Sequence, residues 1–281
     1  MRAEQVTDPI AFHGEGPVWS ASWGGLRWLD MLAGDILTLG EAGVGRRHVG
    51  SIAACVRPRR GGGAVIGVER GFALESPDGS LQPLPELWSS SDIRMNEGGC
   101  DPDGRFYCGS MAYDQAKGAA SLYRLDPDGR VEPVLEGVTV SNGLDWSPDG
   151  ALAYYNDTET GAVAVFDYAR ESGLTNRRTL AALPDDGRPD GLTVDADGCV
   201  WVAVVNAGAV LRLRPDGTVD GRVEVPGVTR VTACAFGGER LDRLYITTSR
   251  EHLAQGEEPT AGSLFAVDPG VTGLPVREFA G

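Results

Sequence analysis

Four oxygen-bearing side chains stand at the head of a recurring phrase. Asn142 opens NGLDWSPDG, Asp190 opens DGLTVDADG, Asn96 opens NEGGCDPDG and Glu15 opens EGPVWSA. Carboxylates and amide carbonyls are the ligands of hard divalent cations, and two carboxylates balance the charge of one such ion. If the four side chains converge, the chemistry on offer is that of a bound divalent cation. A local reading competes, because Asn or Asp before Gly also serves turns. Glu15 lies outside that logic, and four oxygen donors at matched places favour the cation.

Other reactive residues gather near these four. Arg94 precedes Asn96 by two, which on a strand puts both side chains on one face. Its planar fork could bind a substrate oxyanion or carboxylate, with a surface ion pair as the alternative. His13 stands in the same relation to Glu15 and invites a general-base role, against the commoner structural one. His48 and His252 have no reactive neighbour in sequence. Neither a Gly-x-Ser-x-Gly elbow nor a Walker loop is present, so serine nucleophiles and nucleotides lack support. The five cysteines are scattered and form no Cys-x-x-Cys pair, so they read as reduced core thiols.

The elements that would position these residues are short strands. Asp-Gly turns recur in SPDGS at 76, DPDGR at 101 and 126, SPDGA at 147, DADGC at 195 and RPDGT at 214. Asp-Gly suits two-residue hairpins, which need positive φ angles. Between the turns lie β-rich runs such as ALAYYND, GAVAVFDY, CVWVAVV and RLYITTS. Aligning the turns adds Thr232 and either Ile52 or Ala53 to the matched places, giving six slots about 37 to 48 residues apart. Four strands per unit and six units predict an all-β, six-bladed propeller, one domain over residues 1–281, with a metal in its central channel. The innermost strand of every blade lines that channel, so the six slots must converge. Trp19, Trp146 and Trp201 are expected to fill space between blades. Trp88 either does the same or closes over the mouth before Arg94.

Composition narrows the partners. A formal charge of −15 argues against a nucleic-acid or anionic-membrane partner, since both need a basic face. The N-terminus lacks the apolar run of a signal peptide and no later stretch is long enough to span a bilayer, so the expectation is a cytoplasmic protein.

HGEGPVW, RWLD, RMNEGGCDPDGRFYCGSM, SNGLDWSPDG, YYNDT, RPDGLTVDADG and LFAVDPGVTGLP, in that order from about residue 12 onward, resemble the senescence-marker-protein/gluconolactonase family, also called regucalcin-like proteins. The resemblance implies a single divalent cation in the channel and hydrolysis of sugar lactones. It places Glu15, Asn142 and Asp190 at the metal-ligand positions and Arg94 with Asn96 at the substrate-binding pair. Ca2+ leads among the candidate ions, with Zn2+, Mn2+, Mg2+ and Fe2+ behind it. Two departures stand out. Asn96-Glu97-Gly98 replaces the family's Asn-Asp-Gly, so this segment can sit differently. Where family members often have a substrate-contacting glutamate, this chain has Ala116 and Lys117. Lys117, the chain's only lysine, becomes a candidate substrate contact for an anionic or differently placed oxygen.

The mechanism expected on this basis is polarisation of the lactone carbonyl by the cation, with Asp190 also serving as base. The alternatives are a phosphotriesterase-like hydrolase on the same propeller and a non-catalytic calcium-binding propeller.

Overall fold

The computed structural model describes residues 1–184 and 187–281. Among these, the strands form six four-stranded antiparallel sheets, the all-β six-bladed propeller that the repeat implies. The innermost strands are Gly14–Ser20, Ala53–Pro58, Ile93–Cys100, Ser141–Trp146, Pro189–Val194 and Val231–Gly237, which define blades one to six. Neighbouring inner strands pack side by side around the axis, and blade six meets blade one. The sixth sheet takes its outermost strand from the N-terminus: Glu4–Gln5 pairs with Phe265–Val267, so the two ends of the chain close the ring.

The Asp-Gly phrases are hairpin turns of a different kind from the expected two-residue type. In DPDGR the Asp101 amide donates to the Arg105 carbonyl and the Gly104 amide to the Asp101 carbonyl, both at 3.0 Å. Only the glycine is left-handed, with Gly104 at φ +80°. The turn is therefore of type I closed by a left-handed glycine. Aspartate contributes through its side chain instead, since Asp101 Oδ1 accepts from the amides of Asp103 and Arg105.

Each inner strand breaks its pairing register at or beside the slot. Such bulges bend a strand and re-aim side chains. Here they carry Asn96, Asn142, Asp190 and Thr232, with Glu15 at the edge of the break in blade one. In blade two the extra residue is Ala54, one beyond the two positions that turn alignment allowed. The glycines after Asn142 and Asp190 serve packing, since neither Gly143 nor Gly191 is left-handed. A Cβ on Gly143 would stand 2.4 Å from the Leu192 amide nitrogen, and one on Gly191 would stand 2.5 Å from the Ala233 Cβ.

Aromatic side chains fill the seams between blades. Trp146 meets Tyr107 and Tyr168 edge-on at 5.5 and 5.9 Å, and Trp201 meets Phe236 at 5.8 Å. Trp88 stacks on Tyr123 at 5.5 Å and donates to the Ile93 carbonyl. It therefore covers the apolar cluster of blades two and three rather than the channel mouth. All five cysteines are buried and unpaired. The chain's last residues cross the face of the turns: Phe279 bonds Pro58, Ala280 bonds Gly104, and Arg277 bonds Ser147. That end of the channel is covered, and the slot end is the open mouth. Among the described residues no helix is long and apolar enough to cross a membrane.

The glycine contacts give a direct test. Gly143→Ala should destabilise the protein by about 2 kcal/mol, as overpacking of a tight site does. A urea titration should show a lower midpoint at unchanged slope. An unchanged midpoint would mean that the inner strands have slack to spare.

Candidate functional site at the channel mouth

Matched hydrogen bonds show why different residues arrive at one place. In blade one, Asp30 accepts from the amides of Phe12 and His13; in blade four, Asp157 accepts from those of Thr139 and Val140. Counting onward from these anchors puts Glu15 level with Asn142. Asn96 and Asp190 follow from the common register of their blades. All four side chains are buried.

Their hydrogen bonds sort them into two groups. Asn96 is fully engaged: its Oδ1 accepts from Arg94 Nη1 at 2.7 Å and its Nδ2 donates to the Ser141 carbonyl at 2.7 Å. Asn142 donates through Nδ2 to Thr158 Oγ1, but its buried Oδ1 has no partner. Glu15 Oε2 accepts only from the adjacent Gly16 amide. The four oxygen donors thus narrow to three, Glu15, Asn142 and Asp190.

Electrostatics single out the two carboxylates. Burial raises Glu15 well above the usual carboxylate range, and the nearby charges of Asp190 and Glu97 add to it. Asp190 is pushed up to about 7, chiefly by burial, against the opposing effects of Asn142 and Arg230. Two buried carboxylates this close cannot both stay ionised without a cation to offset them. With the orphaned Asn142 oxygen they make an oxygen donor set suited to a hard divalent ion. Among the described residues no three His, Cys, Asp or Glu side chains are arranged to hold a metal ion between them, so the donor set includes the Asn142 amide oxygen.

His13 lies at the rim. Its Nδ1 is 2.8 Å from Ser249 Oγ, and its ring nitrogens lie 3.7 and 3.5 Å from carboxylate oxygens of Glu15 and Glu251. Burial first, then the charges of Arg94, Arg230 and His252, push it down to about 3. The ring is therefore neutral, and these contacts are not ion pairs. Arg94 is anchored by Asn96, the Met95 carbonyl and Met31 Sδ. Its guanidinium also lies 5.9 Å from the centre of the Tyr113 ring, and Tyr113 OH donates to Glu69 Oε1. Lys117 occupies the exposed loop after Tyr113 and makes no hydrogen bond or ion pair among the described residues. Glu97 follows Asn96 within the inner strand and is buried with Oε2 unpartnered. Burial, then Asp190 and Cys55, hold it well above the usual range. Together with Arg57, Asp145 and Cys234 it lines the covered end of the channel.

Sequence reasoning missed Tyr113, Ser249, Glu251, Glu97 and Arg230 as parts of this neighbourhood. The first three come from loops outside the repeated phrase. Glu97 was seen only as a departure from a pattern. Arg230 was legible in principle, for it precedes Thr232 as Arg94 precedes Asn96.

Comparison with known proteins agrees with this architecture. Residues 13–250 match the family described as SMP-30/Gluconolactonase/LRE-like region. Regucalcin of Danio rerio is 35% identical over 280 residues, covering 95% of each chain. The 6-deoxy-6-sulfogluconolactonase of Pseudomonas putida is 36% identical over 278 residues, again covering 95% of each. The crystal structure of a calcium-binding protein, regucalcin, from Agrobacterium tumefaciens superposes with a TM-score of 0.92 at 27% identity, covering 99% of this chain and 97% of that one. A six-slot propeller with full-length relatives of this kind belongs to the SMP-30/gluconolactonase family.

Proposed function

We propose that this protein is a hydrolase of sugar lactones that works with one divalent cation, Ca2+ foremost, held by Glu15, Asn142 and Asp190. The observation that carries the reading is the pairing of two buried carboxylates with an unpartnered amide oxygen at the open end of the channel. Lactonase names among full-length relatives support the substrate class, and the calcium-binding regucalcin structure supports the ion.

Bound there, a hard cation would supply Lewis-acid polarisation of the lactone carbonyl and charge for the developing oxyanion. The chain's own groups do the rest. Asp190, ionised once a cation is held there, takes the proton of the attacking water, the role of a base within hydrogen-bond reach of that water. Asn96, locked by the Ser141 carbonyl, fixes Arg94 Nη1, which leaves the rest of the guanidinium for the sugar oxygens. Lys117, free on its loop, meets the substrate from outside. His13, uncharged at the rim, holds its place through Ser249 and takes no part as an acid.

The decisive assay follows proton release from a panel of aldonolactones, using chelator-treated protein with single cations added back. Turnover should require the cation, and Asp190→Ala should lower kcat by about 10²- to 10⁴-fold, the usual range for a lost acid–base group. Tight cation binding without turnover of any lactone would overturn the reading in favour of another hydrolase or a binding propeller.

The carboxylates also predict how pH acts on the cation-free protein. The native state keeps a proton on Asp190 up to about pH 7, whereas the unfolded chain releases it near pH 4. Between those values native binds more protons than unfolded, so stability falls as pH rises, by at most about 1.4 kcal/mol per pH unit from this group. Cation binding needs both carboxylates ionised and reverses the trend. Millimolar Ca2+ should therefore raise Tm more at pH 8 than at pH 5, and equal increments at both values would contradict the assignment.

A further inference from the structure

The position two residues ahead of each slot forms a second ring above the first. It holds His13, Ile52, Arg94, Val140, Arg188 and Arg230. Their equivalence is visible in the backbone: the carbonyls of His13, Val140, Arg188 and Arg230 accept from the amides of Met31, Thr158, Val205 and Ser249, each the residue just after its blade's second strand. Arg94 occupies the corresponding pairing in blade three, opposite Met111. Three of six positions around the mouth are therefore arginines, directly above two carboxylates.

These arginines are not equally committed. Arg188 is paired with Glu159. Arg94 is held by Asn96 and the Met95 carbonyl. The side chain of Arg230 makes no hydrogen bond or ion pair among the described residues, and its buried Nε is unpartnered. The backbone pairing with Ser249 places Arg230 at the rim with His13, Val140 and Arg188, and its charge bears on both His13 and Asp190. The acidic group facing this part of the rim is Glu251, which lies 3.5 Å from the His13 ring, favours the charge of Arg94 and opposes that of Asp190. The buried Nε of Arg230 is a donor that the protein itself leaves unsatisfied.

On the lactonase reading above, we infer that Arg230 is a specificity-determining substrate contact, binding a carboxylate or sulfonate that the lactone carries away from its ring carbonyl. The planar guanidinium matches either anion with two parallel hydrogen bonds. The lactone carbonyl meets the lower ring of oxygen donors while its anionic end meets the upper ring of arginines. A neutral sugar lactone would leave Arg230 unsatisfied.

Three γ-lactones test this, all assayed with Ca2+ present: that of D-gluconate, that of D-glucarate with a carboxylate in place of the terminal hydroxymethyl, and one with a sulfonate at that carbon. The wild-type protein should turn over at least one charged lactone with kcat/KM about tenfold above the neutral one, and the better of the two identifies the anion. Arg230→Gln should erase that preference mainly through KM, and Arg230→Lys should restore part of it. Equal losses on all three substrates, or a wild-type preference for the neutral lactone, would overturn the inference while leaving the lactonase reading intact. Turnover of none would remove both. If Arg230→Gln does not fold, salt decides with the wild type alone: the preference should shrink in 0.5 M NaCl, and its persistence would count against the assignment.

Discussion

Everything in this molecule depends on six inner strands meeting around one axis without colliding. That demand explains the glycines beside the slots better than any turn does. Neither Gly143 nor Gly191 has a positive φ, and at both the neighbouring blade leaves no room for a Cβ. Gly109 tells the same story, since a Cβ there would stand 1.7 Å from Ser141 Oγ. Close approach has a chemical consequence. Side chains on adjacent inner strands are forced into contact with one another and out of contact with water. A carboxylate at one slot then feels the carboxylate at another through protein rather than solvent, where charges interact far more strongly. The like-charge conflict of Glu15 and Asp190 follows directly from how tightly the ring closes.

The same geometry separates functions by depth. Two residues along a strand is one step on the same face, so each blade offers the channel a lower and an upper position. The lower positions carry oxygen: Glu15, Asn96, Asn142, Asp190 and Thr232. The upper ones carry nitrogen: His13, Arg94, Arg188 and Arg230. Thr232 shows that occupying a slot does not confer a role, because its hydroxyl is spent on the Gly14 carbonyl and Thr247. Asn96 is likewise spent, on Arg94 and Ser141, and so acts as a bracket between the two levels. What remains below is an acidic pocket with an unpartnered oxygen, and above it a basic rim with an unpartnered nitrogen.

The fold was legible because its signal is repetition. Six Asp-Gly turns and matched strand lengths specify blades even though the turn type was misjudged: type I with one left-handed glycine and the two-residue hairpin share the same dipeptide. Blade two was placed one residue off because Ala54 carries no polar group or glycine to fix the gap. The slot residues Glu15, Asn96, Asn142 and Asp190 were found by the same repetition. Which of them were already engaged could not be read, since the Ser141 carbonyl and Thr158 hydroxyl belong to other strands. Trp88 was ambiguous because a loop tryptophan can turn either way, and Tyr123, which holds it, lies 35 residues on. Tyr113, Ser249 and Glu251 sit on connections that do not repeat, where periodicity has nothing to say.

The opposed charges of the two levels bear on how such a site can be selective at all. A cation held by carboxylates favours any carbonyl oxygen and discriminates little among lactones. Discrimination has to come from groups that the reacting ester does not itself satisfy. Arg94 is too firmly tied to Asn96 and Met95 to adapt, and the charge of Arg188 is neutralised by Glu159. Lys117 lies on an exposed loop outside the ring, tied to it beside Lys117 by the Gly118 amide on Thr139 Oγ1. Among the described residues, Arg230 alone of the rim cations combines a fixed backbone, locked by the Ser249 amide, with a side chain that has no protein partner. A rigid stem with an unsatisfied head is the arrangement that rewards one ligand chemistry and penalises its absence, which is why, on the proposed reading, selectivity at this mouth should reside in the upper ring rather than the lower.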